Sequence, residues 1–146
     1  MSATTSRVAQ PSADAFAAEW APRALSVLRI VAGLLFLEHG TSKLFGFPPY
    51  TLGPVPAPLS LLWDGGILEA AGGLLVLLGF FTRPVAFILS GEMAFGYWLF
   101  HAPRSVFPAL NGGDAAILFC FVFLYFAAAG GGAWSLDRAR ERRGTP

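Results

Sequence analysis

With one cysteine, Cys120, the chain can close no intramolecular disulfide and present no CxxC redox pair. Membrane thiol-exchange chemistry is thereby argued against, and a lone thiol inside an apolar run reads as packing or a lipid contact. Charge is scarce as well. Asp, Glu, Lys and Arg make up 13% of the 146 residues against 55% hydrophobic residues, which is too little charge to cover a soluble surface. The class is integral membrane, and the length allows one domain. There is no HxxxH or CxxC metal set, no P-loop, no GxGxxG in a strand–turn–helix setting and no nucleophile elbow. Metal and haem motifs are missing: the two histidines, His39 and His101, fall toward span ends, whereas haem bundles take their ligands from mid-span positions. No apolar core follows a basic start, so no cleavable signal peptide is predicted.

What is present is a series of four apolar stretches, which predicts an all-α, four-helix membrane bundle. The spans are placed at about 24–45, 59–81, 84–101 and 114–131. Residues 1–22 read as a flexible tail or a short interfacial helix around Phe16 to Trp20, and 135–146 as a basic tail. Residues 46–58 hold five prolines and no charge, a loop with Phe47 and Tyr50 as interfacial anchors. Arg29 lies about five residues into the first span, from where it is expected to snorkel to the nearer interface. The central stretch, WDGGILEAAGGLLVLLGFFTR, carries Glu69 near its middle, ~15 Å from the helix start and close to the bilayer midplane. Gly65, Gly66, Gly72 and Gly73 share its face. Small residues let helices approach closely, so this face is predicted to look at protein and not lipid.

Basic residues set the orientation. With four spans both termini share a side with the 82–84 turn, and that side collects Arg7, Arg23, Arg83, Arg138, Arg140, Arg142 and Arg143. The opposite side holds Arg104 alone. Both termini are therefore predicted to be cytoplasmic. Under this topology Glu38, His39 and Lys43 of the first span, Glu69 of the second, Glu92 and His101 of the third gather in the outer half. Asp64 and Asp114 lie near the outer helix ends. Five carboxylates against one lysine and two histidines cannot all be ionised in a low dielectric, so the six span residues form the candidate proton, quinone or polar-ligand site. The bland alternative is structural: acids bonded to backbone or to Tyr97, and His39 with Lys43 contacting phospholipid. The arginine-rich tail reads as a topology signal and an anionic-lipid contact. It has no folded platform for nucleic acid.

Four segments in order carry a resemblance: LEHGTSKLFG, ILEAAGGLLVLLGFFTRPVA, HAPRSVFPALNGGDAAILF and GGGAWSLD. Together, over about residues 24–137, they resemble the small DoxX proteins. The family's HGxxKL pattern falls on His39, Gly40, Lys43 and Leu44; its NGGE pattern ends here in Asp114, and Gly131 stands where proline is usual. The resemblance implies a multi-pass inner-membrane bundle associated with quinone-linked redox chemistry, with a quinone as the bound substrate and another subunit or a second copy as partner. Three readings stay open: a membrane subunit of a quinone-linked oxidoreductase, a non-enzymatic scaffold recruiting a soluble partner, and a small proton-coupled transporter. A single four-helix chain offers no second half to rock against, which weighs against transport. The sequence does not decide whether the chain is an enzyme.

Overall fold

The computed structural model describes residues 13–144; Arg7 and the first twelve residues of the expected tail lie outside them. Among the described residues every regular element is helical: α1 (Ala13–Phe45), α2 (Leu61–Leu78), α3 (Thr82–Gly96), α4 (Pro108–Asn111), α5 (Asp114–Ala129) and α6 (Leu136–Gly144). A π-helical turn, Tyr97–His101, continues α3. Two helices, α1 and α2, are long and apolar enough to cross a membrane, and α5 is a shorter apolar helix.

The 33 residues of α1 extend ~50 Å, well beyond a hydrocarbon core of ~30 Å. From Ala13, the first described residue, the helix runs without interruption through Pro22, so Phe16 to Trp20 belong to the same helix as the first span. Proline at 22 leaves one intrahelical donor missing. Its own carbonyl is well used, accepting from Ser26 Oγ at 2.9 Å and from the Ala133 N–H at 3.0 Å. The C-terminal segment therefore meets α1 at Pro22.

Ends of α2 are written in its sequence. Ser60 caps the start by accepting from the Trp63 N–H at 3.3 Å. Gly79, at φ +68°, ends it in a left-handed turn: its N–H donates to Val76 O, and that of Phe80 to Leu75 O, both at 3.0 Å. Between them, α2 lies on α1 nearly backbone to backbone. A Cβ at Gly73 would sit 2.6 Å from the Leu37 nitrogen, and one at Gly33 2.6 Å from the Leu77 nitrogen. Gly40 meets the Ala70 backbone in the same way. On its other side α2 offers Gly72 to the Leu89 side chain of α3. The glycine-lined face therefore looks at protein, as the small residues around Glu69 require.

Helix α3 packs mainly on α5, where Ser90 Oγ donates to the Cys120 carbonyl at 2.9 Å. Cys120 itself is half-buried and unpaired. The sealed core is small: Phe36, Val76, Leu89, Phe123 and Phe126 are nearly inaccessible, with Phe36 edge-on to Phe123 at 4.8 Å. Most large apolar side chains instead face outward, Phe87, Leu118 and Phe121 among them, each more than 60% exposed. An apolar exterior around a small core of close helix contacts suits lipid and would be a liability in water.

Candidate functional site

The centre of the predicted cluster forms. Lys43, in the last turn of α1, reaches across the α1–α2 contact, and its Nζ donates to Glu69 Oε1 at 2.6 Å. The glycines make this reach possible, since Gly66 lies against the Lys43 stem, where a Cβ would sit 3.0 Å from Lys43 Cβ. Glu69 is 2% exposed and Lys43 partly covered. From α3, Glu92 comes in over Gly65, one turn before Glu69. Two oxygens remain: Glu69 Oε2 and Glu92 Oε2 are buried and have no hydrogen-bond partner. A buried polar atom without a partner is costly, which sets these two oxygens apart from the satisfied polar groups around them.

His39 borders this group, one turn before Lys43 on α1. Its Nδ1–H donates to the Leu35 carbonyl at 2.8 Å, and the ring lies edge-on to Phe119 at 6.1 Å, which leaves Nε2 as the available nitrogen. The remaining predicted members are elsewhere. Glu38, Asp64 and Asp114 are exposed, in contrast to the buried carboxylates. His101 belongs to a separate network: stacked on Tyr97 at 6.2 Å, it donates from Nδ1 to the Asn111 carbonyl at 3.1 Å. Asn111, itself buried, donates to Ser105 O at 2.8 Å and accepts from the Gly113 N–H at 2.7 Å. That network fixes the 102–113 connection rather than the carboxylates.

Away from this site, Arg29 departs most from expectation. It does not snorkel: the side chain is completely buried and its guanidinium is spread over four carbonyls. Nε donates to Gly131 O at 2.8 Å, Nη1 to Val76 O at 2.6 Å and to Leu77 O, and Nη2 to Trp134 O at 2.8 Å. Two of these acceptors are carbonyls at the C-terminal end of α2, where a cation is favoured, and five fixed donors suit several acceptors in one plane. Asp137 is its counterpart at the same end of the molecule. Its Oδ1 accepts from the Phe81 N–H and its Oδ2 from the Thr82 N–H, both at 2.8 Å, so it caps α3 from a distant segment. Arg83 in turn donates to the last carbonyls of α5, Ala127 and Ala128. Three charges thus close three helix ends, and the GGGAWSLD segment is where they meet.

The DoxX family model matches residues 24–102. An uncharacterized protein of Haemophilus influenzae is 42% identical over 125 residues, covering 82% of this chain and 92% of the relative. Inner membrane protein YphA of Escherichia coli is 32% identical over 80% of this chain and 90% of its own length. The uncharacterized membrane protein Rv3486 of Mycobacterium tuberculosis is 30% identical over 85% of both. No solved structure matches.

Proposed function

The chain belongs to the DoxX family and is an inner-membrane protein, and from that premise we propose that it serves a quinone-linked oxidoreductase as a membrane subunit whose Lys43–Glu69–Glu92 group exchanges protons. In this reading α1, α2, α3 with its π-helical turn, and α5 cross the bilayer, and both termini are cytoplasmic. The arginines Arg23, Arg83, Arg138, Arg140, Arg142 and Arg143 lie on the side of the termini, with Arg104 opposite.

The observation that carries it is the pair of buried oxygens, Glu69 Oε2 and Glu92 Oε2, without protein partners beside a single ammonium. Two carboxylates against one lysine leave one negative charge uncompensated, which a proton neutralises at either Oε2. The residues present fit a quinone's needs, because a protonated carboxyl is a donor suited to a carbonyl oxygen. A quinone when bound takes up two electrons and two protons, the electrons coming from the partner's substrate. Lys43 holds Glu69 by Oε1 and so fixes the direction of Oε2. Glu92, from another helix, shares the pair's one proton, and His39 Nε2, on an exposed side chain one helical turn before Lys43 on α1, relays the second from outside the pair. The partner is another subunit, or a second copy of this chain that completes the site.

Glu→Gln tests this, since it keeps shape and hydrogen-bonding capacity while removing the titration. The complex isolated in mild detergent, assayed with a short-chain quinone, should retain its composition in Glu69→Gln and Glu92→Gln and lose turnover by ~100-fold or more, the usual scale for a lost acid–base group. Wild-type turnover in both variants would reject the proton-exchange role and leave a scaffold that recruits a soluble partner. Proton movement into sealed vesicles without any partner, abolished by the same variants, would make the chain a transporter instead.

A further inference from the structure

At the end of the molecule where α1 begins, α3 starts, α5 stops and α6 folds back, the surface opens into a cleft of about 990 Å³. Its lining is of two kinds. From α1 and α5 come the mostly apolar Ala18, Leu25, Tyr125 and Ala129; from α3 and α6 come Arg83, Arg138, Arg140 and Arg142. Asp137 and Glu141 are the acids on the lining, and both carboxylate oxygens of Asp137 are occupied by backbone N–H groups of α3. Four guanidinium groups against two carboxylates leave the cleft cationic. Thr82, whose Oγ1 is buried and has no hydrogen-bond partner, also lines it. Arg140 is steadied over the Phe80 and Phe81 rings, at 5.2 and 5.7 Å, and Arg83 is tethered to the end of α5. Arg138 and Arg142 extend from exposed positions on α6.

We infer that this cleft is a binding site for one anionic phospholipid, with the phosphate at the arginines and an acyl chain along the α1–α5 lining. A free anion would use only the cationic lining, and a neutral lipid only the apolar one; an amphiphile with a phosphate uses both. The volume is at the upper end of ordinary ligand sites, enough for a headgroup and the first part of a chain. Basic pockets of this kind beside membrane helices take phospholipid headgroups. The site differs from diffuse attraction of a basic tail, because α6 is held against the bundle by the Asp137 cap and the cleft has a fixed shape. The inference does not rest on the quinone reading or on the direction of the termini, and a detergent experiment separates it from both.

Purified chain in neutral detergent, titrated separately with phosphatidylglycerol, phosphatidylcholine and inorganic phosphate, gives the test by native mass spectrometry and melting temperature. One phosphatidylglycerol per chain should be retained and should raise the melting temperature, with phosphatidylcholine and inorganic phosphate doing neither. Arg138→Gln and Arg142→Gln should each weaken retention roughly fivefold, on the scale of one surface basic residue. Ala18→Trp, which fills the apolar lining and leaves every arginine in place, should weaken it as well. Equal retention of phosphatidylcholine, or binding indifferent to all three substitutions, would overturn the proposal. So would protection by inorganic phosphate alone, which would make the cleft a soluble-anion site. Several salt-sensitive lipids per chain with no saturation would reduce it to tail electrostatics.

Discussion

Arg29→Met removes the charge at the junction of α2 and the C-terminal segment while keeping much of the apolar stem. The loss can be worked from the acceptors. Val76 O keeps a partner, the Gly79 N–H at 3.0 Å, but Leu77 O, Gly131 O and Trp134 O lose the guanidinium donors. A buried carbonyl left unsatisfied costs ~1–3 kcal/mol; Gly131 O is in that class, Leu77 O and Trp134 O are part-buried and lose less, and the three together cost about 3 kcal/mol. That is a large part of the ~5–15 kcal/mol that holds a typical domain together. At ~2–4 °C per kcal/mol for a chain near this size, Arg29→Met should melt roughly 10 °C lower. Arg29→Lys should fall between, because one ammonium cannot span acceptors on two segments. The assay is thermal unfolding in one detergent, read by a tryptophan signal, since Trp134 lies at the junction. A Met variant melting within about 2 °C of wild type would show that the arginine is dispensable there and that water or a snorkelled conformer serves the same carbonyls.

The sequence announces some of this architecture and conceals the rest, for reasons that differ by residue. Helix α2 is legible because its signals are local: Ser60 before it, Gly79 after it, and glycines three and four residues to either side of Glu69. The Lys43–Glu69 pair, 26 residues apart, follows from depth, since each is a charge in an apolar helix and needs a partner. Helix periodicity also contains a warning that the shared depth of the acids obscured. Glu38 is five residues from Lys43, and Asp64 five from Glu69, and five residues place side chains roughly 140° apart around a helix. Both are exposed for that reason. His101 was displaced by something no pattern marks: the π-helical turn, closed by the Ala102 N–H on Tyr97 O at 2.9 Å, together with an Asn111 carbonyl that receives its ring. Arg29 and Asp137 were the least legible. Their partners are backbone groups 47 to 105 residues away, and a carbonyl or N–H carries no side-chain signature. The one trace was the GGGAWSLD ending, a motif without an evident partner until the fold supplied three helix ends.

The membrane orientation is checked by labelling a cysteine at position 104 in a Cys120→Ser background; modification from the outside only is expected, and modification from the cytoplasmic side alone would reverse the topology. Gly73→Leu should wedge α2 from α1 and cost ~1–3 kcal/mol, because its Cβ would lie 2.6 Å from the Leu37 nitrogen; an unchanged melting temperature would contradict that contact. The Asp137 cap permits a graded experiment. Asp137 accepts two N–H bonds at the start of α3, from Phe81, itself in a left-handed conformation at φ +49°, and from Thr82. Asp137→Asn retains one acceptor oxygen and loses the charge that favours a helix N-terminus; Asp137→Ala loses both oxygens. A lost cap costs ~0.5–2 kcal/mol, so Ala should destabilise by about 2 kcal/mol and Asn by roughly half of that. The backbone supplies a second reading: hydrogen exchange at the Phe81 and Thr82 amides should accelerate in Ala more than in Asn, while exchange in the middle of α2 stays slow. A cap acts only on those amides and on the segment that carries it. If Asp137→Ala instead loosened α2 and α5 as much as the start of α3, the residue would be a general anchor of the C-terminal segment, with capping incidental. Equal stability of Asn, Ala and wild type would remove the cap from the account altogether.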